Sequence, residues 1–291
     1  MSLNIWQEKY RPKKLEDVIL ADVNREAFQK FRADGEIPHL ILSGPPGVGK
    51  TTVAKILIRS INCDRLILNA SDSRGIDIIR NQINDFASTM GLNPWKVVFY
   101  DEGENLTPDA WKALKGTIEK HSKRARFIFT TNFLYRVPEA IKSRCQIFHF
   151  SKLPKDEIIK YYEDILTTEK IEYTQEQLEL VHNICNGDLR RSLNLMSQCS
   201  KSGKLVLSKD EYSELFAEIK TSLKTKKVKN LKEYFAQHSV EWEALYRYVY
   251  DRTSDVIKLA TIGKFFVSHS QVVDPEINFV CMVAELIQNE K

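Results

Sequence analysis

The sequence predicts an α/β fold: a core built on a five-stranded parallel sheet, then a small helical domain and an all-helical C-terminal region. Three observations carry this expectation. From Ile37 to Phe150, short apolar runs alternate with longer amphipathic segments. A glycine-rich loop stands between one such run and the helix-patterned segment that follows it. Beyond Leu153-Pro154 the strand signals fade.

The strands are expected at His39–Leu42, Leu66–Asn69, Lys96–Tyr100, Arg126–Thr130 and Gln146–Phe150, in a sheet covered on both faces. Between them, Thr51–Ile61, Ile76–Met90 and Ala110–Lys120 show helical spacing. After Pro154, Lys155–Leu166, Thr174–Asn186 and Leu189–Ser200 read as amphipathic helices, with Gly187 ending one and Asp188 capping the next. Lys220–Lys232 is rich in lysine, but the helical spacing of Leu223, Val228 and Leu231 favours a solvated helix face over a nucleic-acid tail. The expected domains are residues 1–151, 152–222 and 223–291.

With 43% apolar and 28% charged residues, the 291-residue chain is expected to be folded rather than disordered. A formal charge of +4 is too small to imply nucleic acid by itself, so any such contact must be a local patch. The five cysteines form no CxxC pair, which leaves neither a zinc module nor a disulfide framework. The first ten residues lack a basic leader followed by an apolar stretch, and no run approaches ~18 uninterrupted apolar residues. A cytoplasmic protein with no membrane contact is expected: host cytoplasm if the source is viral, with a nuclear location still open.

Gly44-Pro45-Pro46-Gly47-Val48-Gly49-Lys50-Thr51 matches the phosphate-binding pattern GxxxxGK[ST] in its required setting between strand and helix. Glycines let successive N–H groups turn inward, and the helix N-terminus adds partial positive charge where phosphates sit. Lys50 is expected to pair with the β- and γ-phosphates of ATP. Thr51 offers its hydroxyl to Mg²⁺, and Thr52 completes the set. The apolar strand ending in Asp101-Glu102 supplies the second half of such a site, with Asp101 toward the metal and Glu102 polarising the attacking water. Asn132, at the end of Phe127-Ile128-Phe129-Thr130-Thr131, could hold the same water or sense the terminal phosphate.

With these pieces in place, the chain resembles the AAA+ P-loop class and, within it, the small subunits of replication factor C clamp loaders and the related loaders of bacteriophages. Besides the phosphate loop, the resemblance rests on Trp6-Gln7-Glu8-Lys9-Tyr10-Arg11-Pro12, Asn69-Ala70-Ser71-Asp72-Ser73-Arg74-Gly75-Ile76-Asp77, Ser143-Arg144-Cys145 and Gly187-Asp188-Leu189-Arg190-Arg191. A weaker likeness to the family's collar lies at Ile277-Asn278-Phe279. The resemblance implies that residues Gln7 to Pro12, with Val18 and Ile19, line an adenine pocket. It further implies that Arg144 reaches the γ-phosphate held by a neighbouring subunit, and that Arg190 on a helical lid contacts the nucleotide of its own subunit. It also implies a sliding clamp, primer-template DNA and the other loader subunits of a pentameric ring as partners. Arg74, Arg80 and Lys115 are the nominees for DNA, and Met90, Leu92 and Trp95 for the clamp; solvated charge and ordinary core are their respective alternatives.

The family usually continues its acidic motif as Asp-Glu-Ala-Asp, whereas this chain reads Asp101-Glu102-Gly103-Glu104, and many members carry Gln where Trp111 stands. The readings weighed against an ATPase subunit of a clamp loader are a DNA-repair or fork-remodelling ATPase and a loader subunit that does not turn over. The complete set Lys50, Thr51, Asp101 and Glu102 argues against the last.

Overall fold

The computed structural model describes residues 5–72, 75–201, 203–206, 219, 221, 225, 231–233, 235, 242–251, 253–269 and 271–288. Five strands, β1 (Leu40–Ser43), β2 (Cys63–Asn69), β3 (Trp95–Asp101), β4 (Ala125–Thr131) and β5 (Gln146–His149), form one sheet in the order β2-β3-β4-β1-β5. Every neighbouring pair is parallel, as the sequence predicts. Parallel strands are joined by crossovers that cover both faces, which explains why these strands are apolar at consecutive rather than alternate positions. Leu40, Leu42, Val97 and Phe99 pack on one face, while Ile41, Val98, Tyr100, Phe127 and Phe129 pack on the other.

Helices α2 (Asp22–Asp34) and α3 (Lys50–Ser60) close the first face through Phe28, Val53, Ala54 and Leu57. The second face is closed by α6 (Pro108–His121), with Trp111, Leu114 and Ile118 inward. Its start is set by Thr107, whose side chain accepts from the Ala110 N–H, and by Pro108 at the first helical position, where a missing N–H costs nothing. The segment expected as one helix from Ile76 to Met90 departs from that reading. It comprises α4 (Ile76–Ile78), a π-helical stretch Ile79–Ile83 and α5 (Asn84–Ser88), which leaves Met90 in the loop beyond. The π stretch buries Ile79 and Ile83 against α6.

Two N-terminal elements, α1 (Trp6–Lys9) and a 3₁₀ turn at Leu15–Asp17, precede the sheet. After it come α7 (Glu139–Lys142), α8 (Lys155–Thr168), α9 (Gln175–Cys185) and α10 (Leu189–Cys199). Asp188 does cap α10, its Oδ1 accepting from the N–H groups of Arg190 and Arg191 at 2.9 and 3.1 Å. Strands are not absent after Pro154: Ser200–Lys201 and Lys204–Leu205 form a small antiparallel hairpin around Gly203, whose φ is +79°.

The chain divides into two compact units. The first holds residues up to Lys170 together with Gly187–Gln198; the second holds Ile171–Asn186 and Cys199–Lys291. By this grouping α8 and α10 go with the sheet and α9 does not. In the second unit, Tyr246, Ile262, Phe279 and Met282 form an apolar core. There the buried Asn278 donates to the Tyr246 hydroxyl at 2.8 Å and to the Phe265 carbonyl at 3.0 Å.

Candidate nucleotide-binding site

The loop between β1 and α3 is shaped by Gly47 and Gly49, with φ of +75° and +93°, values that cost a side-chain-bearing residue about 1–2 kcal/mol. A Cβ at Gly47 would also lie 2.1 Å from the Asp188 carboxylate, which would have to move. Gly44 donates its N–H to the Thr131 carbonyl at 3.2 Å, tying the loop's first turn to the tip of β4.

Lys50 opens α3 and is buried, its ammonium donating to the carbonyls of Gly44 and Pro45 at 2.8 and 2.6 Å and to Asn132 Oδ1 at 2.8 Å. Burial pushes it down to about 8, against the opposing pull of Glu104 and Asp101. Thr51 donates its hydroxyl to Asp101 Oδ1 at 2.7 Å, and Thr130 donates to the same oxygen at 2.5 Å. Adjacent strand tips thus bring Lys50, Thr51, Asp101 and Asn132 together, as the sequence predicts.

Glu102 sits in the left-handed region, φ +59° and ψ +44°, directly after β3. Its N–H donates to Thr130 Oγ1 at 3.1 Å, and its carboxylate accepts from the Ser71 hydroxyl at 2.5 Å. Glu104 follows on a 3₁₀ turn, with Oε1 accepting the Asn132 N–H at 3.0 Å. Its Oε2 is buried and has no hydrogen-bond partner among the described residues.

These groups line a cavity of about 400 Å³. Gln7, Glu8, Tyr10, Arg11, Pro12, Val18 and Ile19 line it from the N-terminal arm, and Pro46 to Thr52 from the loop. Asp101, Glu102, Asn132 and Arg190 complete the expected set. Lys9 does not line the cavity, because its ammonium pairs with Glu169 at 2.6 Å; neither do Gly44 and Pro45, which present their carbonyls to Lys50. The arm is fixed by long-range bonds: Tyr10 donates to Glu169 at 2.7 Å, the Tyr161 hydroxyl donates to the Tyr10 carbonyl at 2.9 Å, and Gln7 donates to the Arg190 carbonyl at 3.1 Å.

Sequence reasoning missed Glu104, Thr130, Leu153, Tyr161, Leu189 and Leu193, all of which line the cavity. Tyr161 was legible in part, since it shares a helix face with Ile158 and Ile165.

Arg144 lies elsewhere. It just precedes β5, whose first residue Gln146 pairs with Leu40 at the start of β1, whereas the phosphate loop leaves β1 after Ser43. The two are therefore separated by a four-residue strand, on the order of 10 Å along the sheet. The Arg144 guanidinium donates to the Ala140 carbonyl and pairs with Glu119, and it lines a second hollow beside His39 and Arg126.

Of the residues nominated for partners, Arg80 and Lys115 are exposed, and Arg74 lies outside the described residues. Met90 and Leu92 are 90% and 100% exposed, at the tip of a built loop. Asp64 accepts from the Leu92 N–H at 3.0 Å and from Asn93 at 2.6 Å, while the buried Lys96 ammonium donates to the carbonyls of Phe86 and Thr89. Trp95 differs from its two companions, being half-buried with the Arg126 guanidinium 4.1 Å from its ring centroid.

The donor set suits a magnesium nucleotide. Mg²⁺ takes one or two carboxylates with a hydroxyl, phosphates and water rather than a cage, and no cluster of three or more His, Cys, Asp or Glu side chains able to hold a metal occurs among the described residues. Thr51 and Asp101 supply the hydroxyl and the carboxylate. The loop glycines and the N-terminus of α3 supply the phosphate cradle.

Comparison with known proteins agrees with this geometry. The model of the ATPase family associated with various cellular activities (AAA) matches residues 40–153. The replication factor C small subunit of Sulfurisphaera tokodaii is 41% identical over 210 residues, covering 70% of this chain and 64% of that protein. That of Picrophilus torridus is 40% identical over 214 residues, covering 71% and 67%. The chain thus spans slightly less than two thirds of the Sulfurisphaera protein's length. Solved variants of Thermotoga maritima RuvB align over 92% of this chain and 90% of theirs, with TM-score 0.57 and 17% identity, which shows a shared fold.

Proposed function

Because this chain belongs to the family of replication factor C small subunits, we propose that it is an ATP hydrolase acting as one subunit of a sliding-clamp loader. The observation that carries the reading is the convergence of Lys50, Thr51, Asp101, Glu102 and Asn132 on one cavity, with Arg144 at the opposite end of the sheet.

Loop N–H groups and Lys50 receive the β- and γ-phosphates, the ammonium exchanging its carbonyl partners for phosphate oxygens. Thr51 and Asp101 would hold Mg²⁺, which when bound would offset negative charge developing in transfer. Asn132 senses the terminal phosphate. Glu102 polarises the water once its carboxylate leaves the Ser71 hydroxyl. The arm residues Gln7, Glu8, Tyr10, Arg11 and Pro12, with Val18 and Ile19, enclose the base, and Arg190 links occupancy to the lid.

Arg144 is too far from its own cradle to act there, so it serves the cradle of a neighbour in a pentameric ring, where a guanidinium stabilises the transferring phosphoryl group. Residues 1–151, 152–222 and 223–291 serve as core, lid and collar. Met90 and Leu92, with Trp95 behind them, meet the clamp. Arg74, Arg80 and Lys115 track phosphates of primer-template DNA without reading sequence.

ATP turnover by the assembled complex, with and without clamp and primed DNA, tests the reading. Stimulation is expected to require both. Arg144→Ala should cut the stimulated rate by about 10³-fold while leaving the ATP dissociation constant within about threefold. Undiminished stimulation in that variant would remove the finger, and stimulation by DNA with indifference to the clamp would favour a fork-remodelling enzyme instead. Lys50→Ala should abolish nucleotide binding in every format.

A further inference from the structure

Glu104 is left unused by this mechanism, yet it lines the same cavity. Its Oε1 accepts the Asn132 main-chain N–H at 3.0 Å, and the Asn132 side-chain oxygen in turn accepts from Lys50 at 2.8 Å. One carboxylate thus fixes the residue at the tip of β4 from behind, while that residue faces the terminal-phosphate end of the cradle. Asn132 stands immediately after the last residue of β4, where no ladder bond to β3 or β1 holds it. The Glu104 bond therefore replaces the sheet as the anchor of its backbone.

The remaining oxygen, Oε2, is buried without a partner among the described residues. A buried carboxylate oxygen is costly to leave unpaired, and an ordinary loop position would be served as well by an apolar side chain. The rest of the 3₁₀ turn explains the reach: Gly103 is buried beside Thr130 and the Trp111 ring, which draws the backbone against β4 and puts a glutamate-length side chain at the Asn132 amide.

The geometry points to Glu104 as a positioning residue that orients Asn132 toward the terminal phosphate through the main chain, without touching substrate itself. The inference rests on the ATPase reading above. It separates the acid pair of the motif into distinct tasks, with Glu102 acting on water and Glu104 on the residue that senses the phosphate.

A double-mutant cycle on the assembled complex tests this, reading kcat, KM and the dissociation constant of a fluorescent ATP analogue, with thermal denaturation alongside. Glu104→Leu removes the acceptor at similar volume and is expected to lower kcat at least tenfold with nucleotide affinity within threefold. In an Asn132→Ala background the same substitution should cost less than twofold. Glu104→Gln, which keeps an acceptor for the amide, should recover kcat to within threefold of the parent. Should Glu104→Leu fail to fold, Glu104→Met, of similar length and without the carboxylate acceptor, is expected to reproduce both the loss and its absence in the Asn132→Ala background. Equal losses in the two backgrounds, or a Glu104→Gln variant as slow as Glu104→Leu, would overturn the assignment. If the parent complex binds no ATP, the ATPase reading falls and this inference with it; an active parent with an additive cycle sinks this inference alone.

Discussion

His39 shows how a single half-buried side chain sets a pH limit on the fold. Its Nδ1 accepts the Phe127 N–H at 3.1 Å, so the neutral ring is the form this end of β4 needs. Burial, with Arg126 adding to it, pushes the imidazole down to about 4. Below pH 6.5 the unfolded chain takes up a proton that the folded chain refuses until about pH 4. The stabilisation is therefore intact at neutral pH and lost as pH falls through that window, by about 2 kcal/mol after allowance for partial exposure. Urea titrations at pH 7 and pH 4.5 should show a smaller difference for His39→Asn than for the parent. At this scale the phosphate loop was legible, because Gly44, Gly49, Lys50 and Thr51 stand where local backbone or phosphate chemistry demands them. Glu169 was not, since it meets Tyr10 across 159 positions of sequence and nothing local marks it.

Among the elements, strands and long helices could be read within a residue or two because their periodicity is set by burial on a sheet with two covered faces; the exception is β2, which starts at Cys63 rather than Leu66. The π-helical stretch at Ile79–Ile83 could not, for apolar spacing alone does not say which turn carries the extra residue. The hairpin at Ser200–Leu205 escaped because strands of two residues carry no period. The Thr89–Trp95 loop gives a prediction at this scale. Lys96→Met removes the charged donor that binds Phe86 and Thr89, which should cost about 2 kcal/mol and speed amide exchange at Leu92 and its neighbours while leaving the sheet protected. Asp188→Ala should cost about 1 kcal/mol through the cap of α10, read as a lower melting temperature.

For the molecule as a whole, the parallel sheet and the family were legible from motifs, whereas the grouping of α8, α9 and α10 depends on which helices pack together, and all three are amphipathic in sequence. The placement of Arg144 bears on assembly. Complexes carrying Arg144→Ala and Lys50→Ala on separate chains should regain turnover on mixing and subunit exchange, because each supplies what the other lacks; no recovery after confirmed exchange would argue for action within one chain. The strained backbone of Glu102 has a practical consequence for anyone improving this protein. Glycine at that position would relieve a left-handed φ worth about 1 kcal/mol, so a library sorted only by heat resistance would enrich the loss of the carboxylate proposed to polarise water.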